Sequence, residues 1–344
     1  MDHSEQSPAQ SLTIVPAAAV RDVLQSLGTA SKELVEDIYV KAAQGQLVNP
    51  DSLFLRPDEE RRERVIALPA YVAGDSEAMG VKWISSFPEN VGLGLPRASA
   101  LIALNDPRTG FPKAVLEGAQ ISGHRTALSA AVGAETLRAG DCTPAKVAVI
   151  GTGYISRTTL EVFARLGWSC DRLAVFDLDH ERAEGFASES RKLPGRLTAD
   201  VSAAATLREA VADADVVLFA TTAVVPHLSE SSWFKDDAVV LHMSLRDLTP
   251  EAMAGAVHVV DDVSHALREK TSLALAVEQG TVERQDIVPV GDLLSGTVKP
   301  DHGKRAVYSP FGLGSLDIAL ARLVLDRARD AAGVVTVPGF TCTS

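Results

Sequence analysis

The stretch KVAVIGTGYIS, residues Lys146–Ser156, decides the fold of this chain. It predicts a buried strand that runs into a glycine turn and then a helix, which is how a dinucleotide-binding unit begins. Gly151 permits the tight turn, and Gly153 permits a close approach of the backbone to a pyrophosphate. The third small position holds Ser156 instead of Gly or Ala, which we interpret as a mild deviation.

From Lys146 onward, short apolar runs alternate with helical segments. The runs are KVAVI, RLAVFD, DVVLFATT, AVVLHMS and VHVVDDV, and the helical segments include TTLEVFARLG, HERAEGFASESR, TLREAVADA and HALREKTSLALAVEQG. Strands that are apolar on both faces and alternate with helices indicate a doubly wound parallel sheet of the Rossmann type. The alternative is a doubly wound domain whose glycine turn is only structural.

The second apolar run ends in Asp177, close to the spacing at which an acid bonds the ribose hydroxyls of a dinucleotide. Its charge would repel a 2′-phosphate, so we expect NAD rather than NADP. The loop TTAVVP at 221–226 and the segment SPFGLG at 309–314 are expected beside the cofactor. The predicted cofactor-binding residues are Gly151, Thr152, Gly153, Tyr154, Ile155, Asp177, Thr221, Thr222, Ser244 and Gly312.

The first half of the chain has a different pattern of apolar residues. RVIALPAYV, GVKWISSF and SALIALND are short β-rich runs, and NDPRTG at 105–110 has Pro and Gly at turn positions. We therefore expect an antiparallel sheet built from hairpins. An alanine-rich helix is expected over 119–139, and a long amphipathic helix over 314–333 is expected to pack back on this sheet.

Four cations of the first half lie in or beside apolar runs: Arg56, Lys82, Arg97 and Arg125. A single cation in such a place is more often part of a structural salt bridge, because a buried charge needs a partner. Four together favour a site for carboxylates, which the arginine fork binds in pairs.

The length, net charge and cysteine content limit the classes of partner that the chain is expected to bind. The chain has 344 residues and a net charge of −12, which argues against nucleic acid or an anionic membrane as a partner. No apolar run approaches the ~18 residues of a membrane span. Cys142, Cys170 and Cys342 show no CxxC spacing, so we expect no disulfide framework and no metal site. The N-terminal residues lack the regions of a signal peptide, and the expected location is the cytoplasm.

Several sequence segments, taken in their order along the chain, resemble a known protein family. The pieces are GVKW with Lys82, LNDPRTGFPKAVLEG followed by ISGHRTALSAA with Arg125, GTGYIS, AVVLHMSLRD ending in Asp247, and GLGSLDIALARLV. In this order and spacing they make the chain similar to the ornithine cyclodeaminase/mu-crystallin family over nearly its whole length.

The resemblance implies an α/β fold in which a Rossmann-like NAD-binding domain is inserted in an α+β domain for substrate binding and dimerisation. We place the inserted domain at 129–315 and the other at 1–128 and 316–344. The insertion explains why the glycine turn lies near the middle of the chain. The resemblance also implies a homodimer and a small anionic substrate derived from an amino acid.

The same resemblance implies the site residues. Arg56, Lys82 and Arg125 correspond to the substrate-binding cations, and Asp247 corresponds to the catalytic acid. We expect Asp247 to transfer protons, with Lys82 as the second catalytic residue. The predicted substrate-binding residues are Arg56, Lys82, Arg97, Arg125 and Arg246.

Within the family, LFLRP, GVKWISSFPENV and HMSLRDLTPE resemble a subgroup from siderophore and peptide-antibiotic pathways. That subgroup releases L-2,3-diaminopropionate from N-[(2S)-2-amino-2-carboxyethyl]-L-glutamate. SLRDLTPE departs from the segment usual around the catalytic acid of ornithine cyclodeaminases. A cationic site also suits a substrate with three carboxylates better than it suits ornithine. The alternatives are a cyclodeaminase, a ketimine reductase or amino-acid dehydrogenase, and a non-catalytic NAD(P)-dependent binding protein.

Several candidates also have structural interpretations. Asp247 could cap the helix that starts near Thr249, and Asp317 could cap the last helix or support the site. His242 and His265 have no metal-ligand spacing, so core or helix-surface roles are expected. For Asp261 and Asp262 we expect capping or cofactor-loop contacts rather than a metal pair.

Overall fold

The structure is a computed structural model that describes residues 11–58, 61–193 and 197–341. Cys342 and both ends of the predicted substrate domain lie outside the described residues. The chain divides into two compact units. The antiparallel unit comprises Met1–Leu34, Gly45–Arg125 and Leu313–Ser344, and the parallel unit comprises Val35–Gln44 and Thr126–Gly312.

The antiparallel unit is built on a sheet of hairpins, as the first half of the sequence predicted. Its strands are ordered β16-β1-β7-β6-β5-β4-β2, and β3 also pairs with β4. Strand β1 pairs in parallel with β7, whereas β4 to β7 are antiparallel neighbours. The strands are β1 (Leu12–Val15), β2 (Leu47–Val48), β3 (Leu53–Leu55), β4 (Arg64–Val72), β5 (Ala78–Ser86), β6 (Ala98–Asn105), β7 (Pro112–Glu117) and β16 (Val335–Val337).

Helices α1 (Ala17–Ser26) and α11 (Gly314–Ala328) cover one face of this sheet. Val20 of α1, Ile102 of β6 and Leu320 of α11 share one buried apolar cluster. Burying each such side chain stabilises the unit by about 1.5–3 kcal/mol. The residues of helices α2 (Ala30–Ala43) and α3 (Ala119–Leu137) are divided between the two units.

The parallel unit is a doubly wound sheet, which confirms the predicted fold class. All its pairings are parallel, in the order β10-β9-β8-β11-β12-β15-β13-β14. Strands β8, β11 and β12 are buried at every position, so their apolar runs face helices on both sides. The strands are β8 (Lys146–Ile150), β9 (Cys170–Phe176), β10 (Thr198–Ala203), β11 (Val216–Phe219), β12 (Val239–His242), β13 (Val257–Val260), β14 (Ile287–Pro289) and β15 (Ala306–Tyr308).

The strand order reverses at β8, because the chain continues to β9 on one side and returns to β11 on the other. In such sheets ligands bind at the carboxyl ends of the strands beside this reversal. The helices of the unit are α4 (Tyr154–Arg165), α5 (His180–Ser190), α6 (Leu207–Val211), α7 (Pro250–Met253), α8 (Val263–Ala266), α9 (Ser272–Glu278) and α10 (Val290–Leu294).

The structure corrects two of the predicted helices. The segment HALREKTSLALAVEQG is broken into α8 and α9, because the Thr271 hydroxyl accepts the backbone N–H of Ala274 and starts a new helix. The last helix ends at Ala328 and is buried on all sides from Gly314 to Ala321, so its first half is not amphipathic. Strands β10, β14 and β15 were not predicted. In the described part of the chain, no helix is long and apolar enough to cross a membrane.

Candidate functional site

The two glycines of the turn after β8 have different reasons to be glycine. Gly151 has a φ of +89°, and a Cβ there would lie 2.7 Å from the carbonyl oxygen of Ala220. Gly153 has an ordinary φ of −81°, and a Cβ there would meet nothing within 4 Å. The chain itself therefore requires Gly151, whereas the open space at Gly153 fits a ligand that approaches the backbone closely.

Ser156 connects the first turn of α4 to the glycine turn. Its side chain is fully buried, and its hydroxyl donates to the carbonyl oxygen of Gly151 over 2.5 Å. Gly153 is the N-cap of α4 and has no side chain to accept the terminal N–H groups. The positive end of this helix is thus well suited to an anion such as a pyrophosphate.

Asp177 follows β9 directly and is bonded to the same turn. Its Oδ2 accepts the backbone N–H and the hydroxyl of Thr152 over 2.9 and 2.7 Å, and its Oδ1 accepts the N–H of Asp179. Burial raises the pKa of Asp177, but these hydrogen bonds together hold it below its ordinary value. The group is therefore a carboxylate, and its remaining lone pairs can accept ribose hydroxyls.

A second acid, Asp247, lies in the loop after β12 and is fully buried. The hydroxyls of Thr221 and Ser244 donate short hydrogen bonds to its Oδ1 and Oδ2, and Nε2 of His242 lies 3.1 Å from Oδ2. Although burial raises the pKa of Asp247, these three side chains hold it below its ordinary value. Asp247 is thus an ionised hydrogen-bond acceptor at the carboxyl edge of the parallel sheet.

The capping alternative for Asp247 does not hold, because Thr249 is itself the N-cap of α7 and the Asp247 carboxylate bonds other side chains. Its neighbour Arg246 donates from Nε to the carbonyl oxygen of Lys270 over 3.1 Å. Leu245 between β12 and these residues has a φ of +68°, a left-handed conformation that is rare for a branched side chain.

The other acids of this sheet edge stabilise loops. Asp261 after β13 accepts the backbone N–H groups of Phe311 and Gly312 over 2.9 and 2.6 Å, and burial raises its pKa. Asp262 accepts the N–H of His265 as the N-cap of α8. Both acids thus have the capping and loop roles that we expected. Thr222, predicted to bind cofactor, is exposed in the loop after β11.

The antiparallel unit contains a buried cluster of charges. Nζ of Lys82 on β5 donates to Oδ2 of Asp317 over 2.6 Å and to the hydroxyl of Ser122 over 3.1 Å. Nε of Arg125 donates to Oδ1 of Asp317 over 3.2 Å. Lys82 is 2% exposed and Asp317 is fully buried, so one carboxylate lies between two cations away from water.

The environment of this cluster shifts both pKa values. Burial lowers the pKa of Lys82 to about 8, with a smaller contribution from the charge of Arg125 and an opposing one from Asp317. Burial raises the pKa of Asp317, but Arg125 and Lys82 outweigh it and hold the pKa below its ordinary value. Asp317 supports the cations and does not cap α11, whose N-cap is Leu313.

Only two of the four predicted cations come together. Arg56 is exposed, and its guanidinium lies 4.8 Å from the ring centroid of Phe54. Arg97 is half-buried, its Nε has no hydrogen-bond partner among the described residues, and burial lowers its pKa. Neither forms an ion pair with the acid of the cluster in the described part of the chain.

Sequence reasoning missed three contacts. His242 was expected in a core role, and it is buried, but it also bonds the Asp247 carboxylate. For Asp317 the sequence predicts only a cap or a supporting role, and for Ser122 it predicts no role. The available signal was chemical: an acid inside the apolar run GSLDIAL and a histidine at the end of a buried strand each need a polar partner.

The comparisons with known proteins agree with this fold. The ornithine cyclodeaminase/mu-crystallin family matches residues 14–332. The chain is 28% identical to the N-((2S)-2-amino-2-carboxyethyl)-L-glutamate dehydrogenase of Staphylococcus aureus, over 90% of this chain and 94% of that protein. It resembles the crystal structure of CmnK with a TM-score of 0.82 at 28% identity, covering 97% of this chain and 100% of that one.

The Thermococcus litoralis Delta(1)-pyrroline-2-carboxylate reductase, solved with NADH and L-proline, shares the fold with a TM-score of 0.83 at 24% identity. That match covers 94% of this chain and 99% of the reductase. Dehydrogenases and reductases are among the similar proteins, which confirms the prediction that this chain is an enzyme. The chain belongs to the ornithine cyclodeaminase/mu-crystallin family.

Proposed function

We propose that this chain is an NAD-dependent dehydrogenase that oxidises N-[(2S)-2-amino-2-carboxyethyl]-L-glutamate and hydrolyses the resulting imine. The products are L-2,3-diaminopropionate, 2-oxoglutarate and NADH. The observation that carries the proposal is the buried cluster of Lys82, Arg125 and Asp317, in which two cations share one carboxylate. Its excess positive charge suits a polyanionic substrate. The similarity to the staphylococcal enzyme of that name supports the same choice.

The residues of the parallel unit fit the predicted cofactor. The open space at Gly153 and the uncapped start of α4 suit a pyrophosphate, and the ionised Asp177 suits a ribose without a 2′-phosphate. Thr152, Tyr154 and Ile155 would line the turn, and Thr221, Thr222, Ser244 and Gly312 would contact the rest of the cofactor. When it is bound, NAD supplies the acceptor for the hydride that leaves the glutamate Cα.

We assign substrate binding to the cations of the antiparallel unit. Lys82 and Arg125 would hold carboxylates. The Nε of Arg97, which has no partner within the described part of the chain, is suited to a further one. Arg56 is assigned the same role from the family resemblance. Arg246 would bind substrate only after breaking its hydrogen bond to the carbonyl oxygen of Lys270.

The proposed chemistry needs a neutral amine and a mobile proton. The amine lone pair forms the imine, and a nearby cation such as Lys82 favours the neutral amine. Water then adds to the imine carbon, and one of its protons must be accepted. We assign that step to Asp247, which is ionised and bonded to two hydroxyls and an imidazole.

The test is an absorbance assay for NADH with the glutamate conjugate and NAD, with ornithine as the parallel substrate. We expect NADH from the conjugate only, and activity on ornithine alone would refute the assignment. Arg125→Met should raise KM, whereas Asp247→Asn should mainly lower kcat. Arg322→Met is the matched control, because Arg322 is bonded to the half-buried acid Asp326 on α11 and should leave both constants unchanged.

We propose that the enzyme is a homodimer that uses the open face of the antiparallel sheet. Leu53, Trp83 and Leu101 lie in one cross-strand row with Ala67 and are 68%, 41% and 41% exposed. Lys82 points to the opposite, covered face, because side chains alternate along β5. An apolar face of this kind suits a second copy of the chain.

Light scattering coupled to size exclusion tests the dimer. We expect Leu101→Lys to shift the mass toward one chain and Leu93→Lys to leave it unchanged, since Leu93 is exposed in a 3₁₀ helix outside the sheet. A mass of one chain for the wild-type protein would contradict the proposal.

We further propose that the product feeds a siderophore or a peptide antibiotic made in the cytoplasm. The resemblance of LFLRP, GVKWISSFPENV and HMSLRDLTPE to the subgroup from siderophore and peptide-antibiotic pathways supports this choice. Deleting the coding sequence in its host should abolish the downstream product, and added L-2,3-diaminopropionate should restore it. Failure of that rescue would argue against this pathway.

A further inference from the structure

His242 lies at the end of β12 and is fully buried, yet its ring nitrogens face three polar atoms. Nε2 lies 3.1 Å from Oδ2 of Asp247 and also 3.1 Å from the backbone nitrogen of Asp247. Nδ1 lies 3.4 Å from the hydroxyl of Ser309. One imidazole nitrogen therefore faces both an acceptor and a donor of the same residue.

These two contacts demand opposite states of Nε2. A backbone N–H is always a donor, so it needs the lone pair of an unprotonated Nε2. An ionised carboxylate oxygen is only an acceptor, so it needs a proton on Nε2. Because a charge-assisted hydrogen bond is stronger than a neutral one, we expect Nε2–H toward Oδ2 while Asp247 is ionised.

We propose that His242 and Asp247 form a pair that takes up and returns one proton, with His242 as a positioning residue that acts through Asp247; this rests on the proposed function. In the base form, His242 is neutral with its proton on Nε2, and Nδ1 accepts the Ser309 hydroxyl. When the pair takes up a proton, Nδ1 receives it through the Ser309 hydroxyl, and the Nε2–H bond breaks as its proton passes to Oδ2 of Asp247. The lone pair left on Nε2 then accepts the backbone N–H of Asp247.

The pair matches the two proton steps of imine hydrolysis. As the water oxygen bonds to the carbon of the protonated imine, one water O–H bond breaks and its proton goes to the pair. As the neutral carbinolamine collapses, the C–N bond breaks and the C=O bond forms. The proton held by the pair and the proton of the carbinol hydroxyl both go to the leaving nitrogen, which departs as an ammonium group. No electrons are exchanged in either step, and the pair ends in its starting form.

The surroundings of His242 contain few other charges. The titratable groups that face it in the described part of the chain are Asp247 and His258 on β13, while the ring of Phe219 on β11 packs edge-on with centroids 6.0 Å apart. Burial lowers the pKa of His258 to about 4, so His258 is neutral near pH 7. The Nε2 of His258 bonds the carbonyl oxygen of Met253 and has no part in the pair.

Nitrogen-15 NMR of the histidine rings in the full chain without substrate is the first test. We expect the Nε2–H tautomer for His242 in the wild type. In Asp247→Ala we expect the Nδ1–H tautomer, because Nε2 then keeps only the backbone N–H as a partner. An Nδ1–H tautomer in the wild type at neutral pH would overturn the pair. This result does not depend on the substrate, so it separates failure of the pair from failure of the proposed reaction.

The second test is the pH profile of kcat for His242→Gln, since a glutamine amide can donate to Oδ2 but cannot take up a proton. We expect kcat to fall about 100-fold or more, KM to change less than about 3-fold, and the acidic limb of the profile to move. His258→Gln is the matched control and should keep the wild-type limb. A folded His242→Gln enzyme with wild-type kcat and an unmoved limb would refute the role.

Discussion

At the scale of single residues, Asp317 is the most consequential side chain of the antiparallel unit. It is fully buried and is the shared partner of Lys82 and Arg125. Replacing it with Asn would leave two cations close together without a counter-charge. Removing one partner of a buried ion pair costs about 3–5 kcal/mol of unfolding free energy.

We therefore expect Asp317→Asn to lower the free energy of unfolding by about 3–5 kcal/mol, measured by urea denaturation. Asp326→Asn on the same helix is the matched control. Asp326 pairs with Arg322 and Arg329 at the surface, so we expect a loss below about 1 kcal/mol. Equal losses in the two variants would show that burial of the cluster does not matter.

Lys82 should give stability an unusual dependence on pH. Its pKa is lowered from 10.5 to about 8, so between these values the unfolded chain binds more protons than the folded one. Stability must then rise with pH over that window, by up to about 3 kcal/mol. We expect this rise in the wild type relative to Lys82→Met, measured by denaturation from pH 7 to 10.5. Parallel curves for the two proteins would contradict the lowered pKa.

At the scale of elements, the turn between β8 and α4 contains one glycine that the fold requires and one whose surroundings suit a bound ligand. Gly151→Ala forces a positive φ and a 2.7 Å approach to Ala220, so we expect it to cost stability, of order 1–3 kcal/mol. Gly153→Ala changes only a helix cap with open space around it and should cost less than about 1 kcal/mol. We expect Gly153→Ala to weaken NAD binding at least 10-fold by calorimetry. Unchanged binding would mean that no ligand approaches this backbone.

Elements with a strong local pattern could be predicted, and those defined by distant pairing could not. The mainly apolar KVAVI and VVLH form fully buried strands at the positions expected. Strand β15 has only three residues, and it exists because β12 and β13 on either side complete its hydrogen bonds. The break between α8 and α9 depends on one threonine hydroxyl, which an apolar periodicity does not reveal.

At the scale of the whole chain, the residues of each charged cluster could be predicted more readily than their partners. Lys82 and Arg125 stand out as cations in apolar runs, but their acid Asp317 lies 235 residues beyond Lys82. His242 and Ser309 are likewise 67 residues apart. Such pairs form only because certain strands and helices become neighbours in the fold. The order of strands in the sheet decides this, and no local motif reveals it.

Ligand binding to the folded chain should appear as a gain in thermal stability. A ligand at 100 times its Kd adds about 2.7 kcal/mol, which corresponds to roughly 5–10 °C for a unit of this size. We expect NAD at that excess to raise Tm, and NADP at the same concentration to raise it by much less, because the ionised Asp177 would repel a 2′-phosphate. Asp177→Ala should remove this preference. Asp179→Asn should keep it, since Asp179 only caps α5. An equal rise with both dinucleotides in the wild type would contradict the assignment of NAD.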